Sequence, residues 1–244
     1  MFRKFLRLRR LEGTLRSIQR EYYATSRDQV PELFPRYARA LAEARALTFA
    51  AEQGRRPATG RETKLHLGCG DHHLEGWWNV DLERRGELQA DLSRSIPVRS
   101  GSVDYVHSED FLEHVDLPQG RRLLSECFRV LRPGGVMRLL TPDLRAIVER
   151  VYLERQTRHL TFCRVNLQAE GPCEALNMWL RMEGGAHRFV WDYELLERGL
   201  TETGFTVRRV SFNRSWHASL RYLDLRDFDL NLFVEATKPL EISP

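Results

Sequence analysis

Cysteine is scarce in this sequence. Only four cysteines occur in 244 residues, and no two of them form a C-x-x-C pair. Disulfide-stapled secreted domains and paired-cysteine zinc sites are therefore not indicated. We expect reduced, mostly buried thiols; Cys127, for example, continues an apolar helical stripe. This cysteine usage is typical of a cytoplasmic protein, which is the location we expect.

Long apolar runs are also missing. No stretch approaches the ~20 apolar residues that a membrane-spanning helix needs. The basic start MFRKFLRLRRL is not followed by the uninterrupted apolar segment of a signal peptide. Hydrophobic residues make up 42% and charged residues 30% of the chain, which is ordinary for a globular protein. The net charge of +4 is too small to indicate a nucleic-acid partner by itself.

Basic residues are concentrated at the N-terminus. The first twenty residues carry seven arginines and lysines against a single acid, Glu12, and their apolar residues recur at helical spacing. The stretch YARALAEARALTFAAEQG predicts a second helix, and RRPATGRET a linker. We interpret residues 1–60 as a helical extension. Its basic helix either docks on the rest of the chain, which we favour, or makes a peripheral membrane contact, or binds RNA phosphates.

From Lys64 onward, short apolar runs alternate with helical patterns. We expect strands near residues 64–67, 77–81, 87–91, 103–107, 135–141, 205–212 and 230–238. A helix should end within RVLRPGG, where Pro133 and the two glycines stop it, and Asp192 should cap a helix that runs through Thr203. Residues 144–190 read as a helical insert within a domain of residues 61–244. Strands that alternate with helices predict a parallel α/β sheet.

The segment KLHLGCGDHHLEGWWNVDLE, residues 64–83, contains a Gly-Cys-Gly turn, for which several kinds of ligand can be compared. A dinucleotide fingerprint fails because His73 replaces the third glycine and the acid Asp81 follows too soon. A phosphate loop would need Gly-Lys-Ser/Thr. Zinc at Cys69, His72 and His73 lacks a second ligand pair, so we expect no metal there. An adenosine without phosphates remains, because Gly68 and Gly70 let the backbone approach a ligand closely.

Four polar side chains stand at the ends of three predicted strands. Asp81 and Asp91 come at the ends of the second and third strands, and Ser108 and Glu109 follow the fourth. Open α/β sheets bind ligands at the carboxyl edge of their strands. Each residue alone could be a turn or cap residue. Together they predict one crevice, in which Asp81 would accept hydrogen bonds from both hydroxyls of a ribose.

The ordered motifs LHLGCG, NVDLE, FLEHV and RVLRPGG resemble those of the class I S-adenosylmethionine-dependent methyltransferases. The resemblance implies a Rossmann-like, doubly wound, mainly parallel seven-stranded sheet with an antiparallel last strand. It also implies S-adenosylmethionine as the cofactor and places Asp91 near the adenine. The residues expected to line the cofactor are His66, Gly68, Cys69, Gly70, Asp81, Leu82, Asp91, Leu92, Ser108 and Glu109. The sequence departs from the family at His66, where an acid is usual, and in its short first crossover.

Methyl transfer to a hydroxyl benefits from a base, and histidine is the commonest choice. His187, ahead of the DYELLERG helix, is our first candidate, His114 in FLEHV the second and His217 a third; His187 could equally be a packed residue. Trp179, Met178 and Phe189 either wall an acceptor pocket or, as we prefer, belong to a core. We expect no metal ligand set.

The acceptor is the least determined feature of the sequence. HSEDF stands after the fourth strand, where methylases of nucleic-acid amino groups carry Asn/Asp-Pro-Pro-aromatic, so nucleic acid is not expected. A hydroxyl or other heteroatom of a small molecule or glycan is the mildest prediction. A different class of function, a non-catalytic scaffold or partner subunit with the same fold, is favoured only by His66. The sequence leaves the oligomeric state open.

Overall fold

The fold is described from a computed structural model. It describes residues 6, 7, 9–15, 17, 18, 40, 62–83, 86–226 and 229–240. The chain divides into two compact units. The sheet unit comprises residues 59–144, 184–211 and 229–244, and the helical unit comprises residues 1–58, 145–183 and 212–228. The domain limits expected above, at residue 60 and at the insert of 144–190, stay predictions.

One seven-stranded sheet organises the sheet unit. Its strands are β1 (Lys64–Leu67), β2 (Trp78–Asp81), β3 (Leu88–Gln89), β4 (Val103–Glu109), β5 (Leu131–Pro142), β6 (Thr206–Arg209) and β7 (Asn231–Thr237). They lie in the order β3-β2-β1-β4-β5-β7-β6. Every pairing among β1 to β5 is parallel, whereas β7 runs antiparallel to both β5 and β6. The predicted Rossmann-like sheet with its antiparallel last strand is confirmed.

Several strands differ in length from the prediction, among them β6, which keeps only Thr206–Arg209 of the expected 205–212. β3 keeps only Leu88–Gln89, and β5 begins at Leu131 rather than near 135. The RPGG stretch therefore lies within β5 at a register irregularity, because Leu131 pairs with Val103 whereas Val136 pairs with Tyr105. The Gly135 carbonyl accepts a hydrogen bond from the N–H of Lys238, the residue that follows β7, at 2.9 Å. Ser108 and Glu109, predicted to follow β4, are its last two residues.

Helices occur in both units. α1 (Leu117–Val130) begins at a capping box. The Asp116 carboxylate accepts from the Gln119 N–H, and the Gln119 side chain accepts from the Asp116 N–H. The other helices are α2 (Leu144–Ile147), which continues as a π-helix over Val148–Leu153, α3 (Thr157–Leu167), α4 (Pro172–Gly185) and α5 (Tyr193–Thr203). α5 is capped by Asp192 and ended by Gly204, as predicted. Short 3₁₀ helices cover Leu112–His114 and Ala218–Leu220.

The core of the sheet unit lies between the sheet and two helices. Leu65 and Leu67 of β1 pack in one cluster with Leu124 of α1 and Leu196 of α5. Trp191 is fully buried in the same cluster. It sits so close to α1 that a Cβ on Gly120 would lie 2.8 Å from its ring. The glycine in an otherwise apolar helical stripe is thus explained by the indole that packs on it.

The opposite face of the sheet carries a buried polar row. Side chains alternate along a strand, so His66 points away from Leu65 and Leu67. Successive register partners on five neighbouring strands form the row, namely Asn79, His66, His107, Arg138 and Glu235. Each is at most 4% exposed. We refer to these five residues as the polar row.

The helical unit has a small core of its own. Among its described residues, Leu15 and Ile18 pack with Ala40 and Tyr222. The Tyr222 hydroxyl donates to the Glu12 carboxylate at 2.9 Å. Residues 9–15 are helical, which agrees with the predicted N-terminal helix, while most of the predicted second helix and linker lies outside the described residues. Whether the basic helix contacts a membrane stays a prediction.

Two composition-based expectations can be compared with the structure. In the part of the chain that is described, no helix combines the length and apolarity needed to cross a bilayer. All four cysteines are free, and Cys69, Cys127 and Cys163 are buried, which confirms the expected reduced thiols. Burial raises the pKa of the Cys127 thiol to about 12, and burial likewise raises that of Cys163 to about 11. Both are therefore protonated packing residues.

Candidate functional site

The strand order creates a crevice between β1 and β4. From β1 the strand order runs outward through β2 to β3 on one side, and through β4 to β5 on the other. Ligands of open α/β sheets bind at such a switch point, beyond the carboxyl ends of the strands. The Gly-Cys-Gly turn directly follows β1, and Ser108 and Glu109 end β4. The structure therefore places two of the predicted groups on adjacent strands at this edge.

Both glycines of the turn adopt left-handed backbone conformations. Gly68 has φ +67° and Gly70 has φ +49°, which glycine adopts at little cost. The N–H groups of Gly68 and Cys69 both donate to the Val80 carbonyl, at 2.9 and 3.2 Å. The turn is thereby bound to the end of β2. A Cβ on Gly70 would meet nothing within 4 Å, so that side of the turn is open.

Gly68 is enclosed, in contrast to Gly70. A Cβ at Gly68 would lie 2.6 Å from the ring of Phe111. We expect Gly70→Ala to lower the free energy of unfolding by ~1 kcal/mol through backbone strain alone. Gly68→Ala should cost about 1–3 kcal/mol more, because it also overpacks the site. Urea denaturation of the two variants measures the difference, and equal losses would contradict the role of Phe111.

Asp81 connects β2 to the glycine turn. Its Oδ2 accepts a hydrogen bond from the Gly70 N–H at 2.9 Å, and its Oδ1 accepts one from the Glu83 N–H at 3.0 Å. Each carboxylate oxygen has a further lone pair, so both can still accept a hydrogen bond from a ligand. The side chain is half-buried, while Leu82 beside it is 62% exposed. The Asp81 carboxylate therefore lies beside the open side of the turn, where it can accept hydrogen bonds from a ligand.

Asp91 lies two residues beyond β3. Its Oδ1 accepts hydrogen bonds from the Ser93 hydroxyl at 2.6 Å and from the Ser93 N–H at 3.1 Å. The hydrogen bond from the Ser93 hydroxyl, followed by those of the Ser93 N–H and Arg94, holds the pKa of the Asp91 carboxyl below its usual range. Leu92 turns inward and is buried in the core. The sequence placed both residues at the cofactor; the structure gives them different exposures.

β4 contributes buried polar groups at the same edge. The Ser108 hydroxyl donates to the Leu67 carbonyl at 3.2 Å, which joins β4 to the residue before Gly68. Glu109 is 9% exposed, and its carboxylate lies 3.8 Å from Nε2 of His107. Cys69 is buried, and its thiol donates to the Gly70 carbonyl at 3.4 Å. These groups hold the turn in shape around the crevice.

His66 belongs to the polar row. Its Nδ1 lies 3.1 Å from Oδ1 of Asn79, which also accepts from the Leu74 N–H at 2.8 Å. Because that oxygen is an acceptor, Nδ1 of His66 is the donor. The His66 ring also lies 5.2 Å from the ring of His107. The residue that replaces the usual acid of the family is therefore integrated into the sheet face.

The two leading base candidates meet immediately after β4. The rings of His114 and His187 are 5.2 Å apart in a T-shaped arrangement. Nδ1 of His114 lies 3.0 Å from the Ala186 carbonyl. The N–H groups of Arg188 and Phe189 donate to the Glu113 carbonyl at 2.8 and 3.2 Å. The segment that carries His187 is thus fixed to the Leu112–His114 helix.

A third ligand-type side chain joins the two histidines. Within the described residues, one atom each of Glu113, His114 and His187 lies within 4.8 Å of the other two. Glu113 is 1% exposed, and its Oε2 accepts from the Thr141 hydroxyl at 2.9 Å. We call these three residues the Glu-His-His cluster. The sequence pointed to each histidine singly and to no metal, and it gave no signal for Glu113 or Thr141.

The remaining candidates divide between the two units. His217 and Trp179 belong to the helical unit. The Trp179 ring stacks on Phe162 at 5.9 Å, and its Nε1 donates to the Cys163 sulfur at 3.2 Å, so Trp179 is a core residue, as preferred. Met178 is 43% exposed, so the preferred assignment to a core is wrong for this residue. In the sheet unit, Phe189 packs edge-on against Trp191 at 5.2 Å, also as a core contact.

Comparison with known proteins identifies the segment that carries this site. The family model described as "Methyltransferase domain" matches residues 65–139, which include the glycine turn, Asp81, and the end of β4. A Mycolicibacterium smegmatis protein described as a probable S-adenosylmethionine-dependent methyltransferase is 42% identical over 64 residues. That match covers 26% of this chain, and the chain spans about a fifth (22%) of the relative's length.

Solved structures of similar proteins are more distant in sequence. An S-adenosylmethionine-dependent methyltransferase from Mesorhizobium loti is 17% identical, with 81% of this chain and 99% of that chain covered and a TM-score of 0.49. An S-adenosylmethionine-dependent methyltransferase from Methanosarcina mazei is 18% identical, with 75% and 95% covered and a TM-score of 0.46. The fold described above rests on the strand order of the chain itself.

Proposed function

We propose that this chain, a member of the class I S-adenosylmethionine-dependent methyltransferase family, transfers a methyl group from that cofactor to a hydroxyl of a small-molecule or sugar-containing acceptor. One observation carries the cofactor part of the proposal. The Asp81 carboxylate is hydrogen-bonded to the Gly70 N–H at 2.9 Å, on the open side of a left-handed turn. An acid and an open glycine turn at a switch point are what an adenosyl ligand needs.

In this proposal the glycine turn and the strand ends each contact a different part of the cofactor. Gly68, Cys69 and Gly70 present backbone to the ligand, and Asp81 accepts hydrogen bonds from both ribose hydroxyls, with Leu82 beside it. Asp91 and Leu92 lie toward the adenine. Ser108 and Glu109 lie toward the methionine part, because they end the strand that neighbours β1. His66 is hydrogen-bonded to Asn79, which also binds the backbone of Leu74, and does not supply negative charge to the cofactor.

The reaction is an in-line displacement at the methyl carbon of a sulfonium. Its charge disperses as the new bond forms, so the protein mainly aligns the reactants and excludes water. A hydroxyl acceptor must also lose its proton. The paired His114 and His187 are the groups we assign to promote that loss, since they lie just beyond the end of β4. The acceptor would thus approach between the cofactor turn and this pair.

Two observations favour a hydroxyl over other acceptors. HSEDF, which forms the end of β4 and the two residues after it, stands in place of the Asn/Asp-Pro-Pro-aromatic stretch of nucleic-acid amine methylases. The histidine pair offers proton acceptance near the crevice, which an oxygen nucleophile requires. We also propose a cytoplasmic location, because the cysteines are free in the structure. The non-catalytic scaffold remains the second candidate, favoured by His66.

Calorimetric titration of the full chain with S-adenosylhomocysteine, S-adenosylmethionine and NAD tests the cofactor part. We expect micromolar binding of the first two and none of NAD. Transfer of a labelled methyl group to a panel of sugars, phenols and amines of matched size then tests the acceptor. Label on hydroxyl compounds alone supports the proposal, and label on amines alone overturns its acceptor. A folded chain that binds neither adenosyl compound would instead be the scaffold.

A further inference from the structure

The Glu-His-His cluster has the composition and spacing of a metal site. Its three ligand atoms lie within 4.8 Å of one another. Two atoms that each bind one ion at about 2.0–2.2 Å are at most ~4.4 Å apart. Small side-chain rotations, without movement of the backbone, therefore bring all three atoms within reach of a single cation.

The surroundings of the cluster already orient its ligands. Nδ1 of His114 is 3.0 Å from the Ala186 carbonyl, which can only accept, so this nitrogen carries the proton and Nε2 is the one suited to bind a cation. Metal-binding histidines are held in this way by a carbonyl or carboxylate. Metal-binding carboxylates are hydrogen-bonded as well, and Glu113 accepts from the Thr141 hydroxyl at 2.9 Å.

The backbone around the cluster fixes the distance between its two halves. Glu113 and His114 belong to one short helix, and His187 belongs to a segment more than seventy residues later. The Arg188 and Phe189 N–H groups both donate to the Glu113 carbonyl, which joins the two segments directly. Glu113 is also almost fully buried, and a carboxylate in such a place is stabilised by a nearby cation.

We propose that Glu113, His114 and His187 bind a divalent first-row transition-metal cation. Two imidazoles and one carboxylate suit Mn²⁺, Fe²⁺, Co²⁺ or Zn²⁺ better than Mg²⁺ or Ca²⁺, which prefer all-oxygen sites. Three protein ligands leave coordination positions open for a further oxygen. This assignment replaces direct proton acceptance by the histidine pair with binding of a cation.

The position of the cluster gives the cation a chemical role, which rests on the proposed function. Phe111, whose ring covers Gly68, precedes Glu113 by two residues. An acceptor hydroxyl bound to the cation becomes more acidic and releases its proton to water. Its oxygen then bonds to the methyl carbon of S-adenosylmethionine while the carbon–sulfur bond breaks. The sulfur keeps that electron pair, and neutral S-adenosylhomocysteine leaves.

Titration of the full, chelator-treated chain with Co²⁺ and with Zn²⁺ tests the site. We expect one saturable site per chain and a visible Co²⁺ absorption band that titrates with it. His187→Ala and Glu113→Gln should each weaken cation affinity at least tenfold, and Thr141→Val about 10–100-fold by loss of ligand orientation. His73→Ala is the matched control, since His73 is exposed and lies outside the cluster, and it should bind the cation unchanged.

Binding of S-adenosylhomocysteine, measured on the same samples, separates this inference from the proposed function. Cluster variants that keep this binding are folded, so their loss of cation supports the site. A wild-type chain that binds S-adenosylhomocysteine but neither cation overturns the site and leaves the proposed function intact. Equal cation binding by His187→Ala and wild type also overturns it, because the ion would then be held elsewhere. If His187→Ala fails to fold, Thr141→Val provides the same comparison.

Discussion

Asp81→Ala is expected to abolish measurable binding of S-adenosylhomocysteine at micromolar concentrations. The carboxylate would lose its hydrogen bonds to both ribose hydroxyls, each worth about 1.5–3 kcal/mol as charged hydrogen bonds. Together these correspond to a ~10²–10⁴-fold rise in Kd. The Gly70 N–H would also lose its acceptor, now 2.9 Å away, so the turn would be less well ordered before binding. Calorimetric titration of the purified variant measures the change.

Two further variants separate the causes of that loss. Glu83→Ala removes an equal charge two residues later, from an exposed side chain, and should leave Kd within about threefold. Asp81→Asn keeps an oxygen or an amide beside the turn but removes the charge, so its Kd should fall between those of wild type and Asp81→Ala. Binding by Asp81→Ala within threefold of wild type would refute the assignment of Asp81 to the ribose.

Much of the fold could be predicted because it depends on local sequence signals. The strands near 64–67 and 78–81 appear as short apolar runs, and the helix of 193–203 carries its own start and stop residues. Asp192 accepts from the Leu195 N–H, and Gly204 takes φ +109°, as their residue types predict. The early start of β5 could not be read in this way. Proline and glycine normally end structure, yet here RPGG lies inside β5 at an irregularity of the register, where the Gly134 N–H donates to the Lys238 carbonyl at 2.8 Å.

The candidate site was predictable where it lies at strand ends. Parallel strands bring their carboxyl ends to one edge, so Asp81 and Ser108 could be assigned to the same crevice without a structure. Phe111 could not, because its contact with Gly68 depends on the path of the chain after β4. The Glu-His-His cluster was missed for a similar reason. His187 is separated from Glu113 and His114 by more than seventy residues, and hydrogen bonds to the Glu113 carbonyl and from Nδ1 of His114 bring the two segments together.

His66 shows why a motif departure needs the register of the sheet. In the sequence it is only a histidine where an acid is usual. In the structure it is the second member of the polar row, hydrogen-bonded to Asn79 and with its ring 5.2 Å from that of His107. Its neighbours on the adjoining strands, Asn79 and His107, are polar as well. An acid at position 66 would therefore make different contacts with them than the imidazole does. The departure at His66 is therefore matched by Asn79 and His107 on both sides.

The far end of the polar row should be a major determinant of stability. Arg138 of β5 is fully buried, and its Nη1 donates to the Glu235 carboxylate of β7 at 3.0 Å. Its Nη2 donates to the Ser211 carbonyl, also at 3.0 Å. Arg138→Met would leave the Glu235 carboxylate buried without this guanidinium. We expect the free energy of unfolding to fall by about 3–5 kcal/mol, as measured by urea denaturation.

The double variant Arg138→Met/Glu235→Leu should be more stable than Arg138→Met alone. Removing both charges eliminates the desolvation cost that the single change leaves behind, and apolar replacements of buried ion pairs are often neutral. Arg132→Met is the matched control on the same strand, because Arg132 is 53% exposed where it pairs with Asp104. Its loss should stay below ~1 kcal/mol. If Arg138→Met and Arg132→Met lower the free energy of unfolding equally, burial of the Arg138–Glu235 pair does not make the loss of one partner more costly.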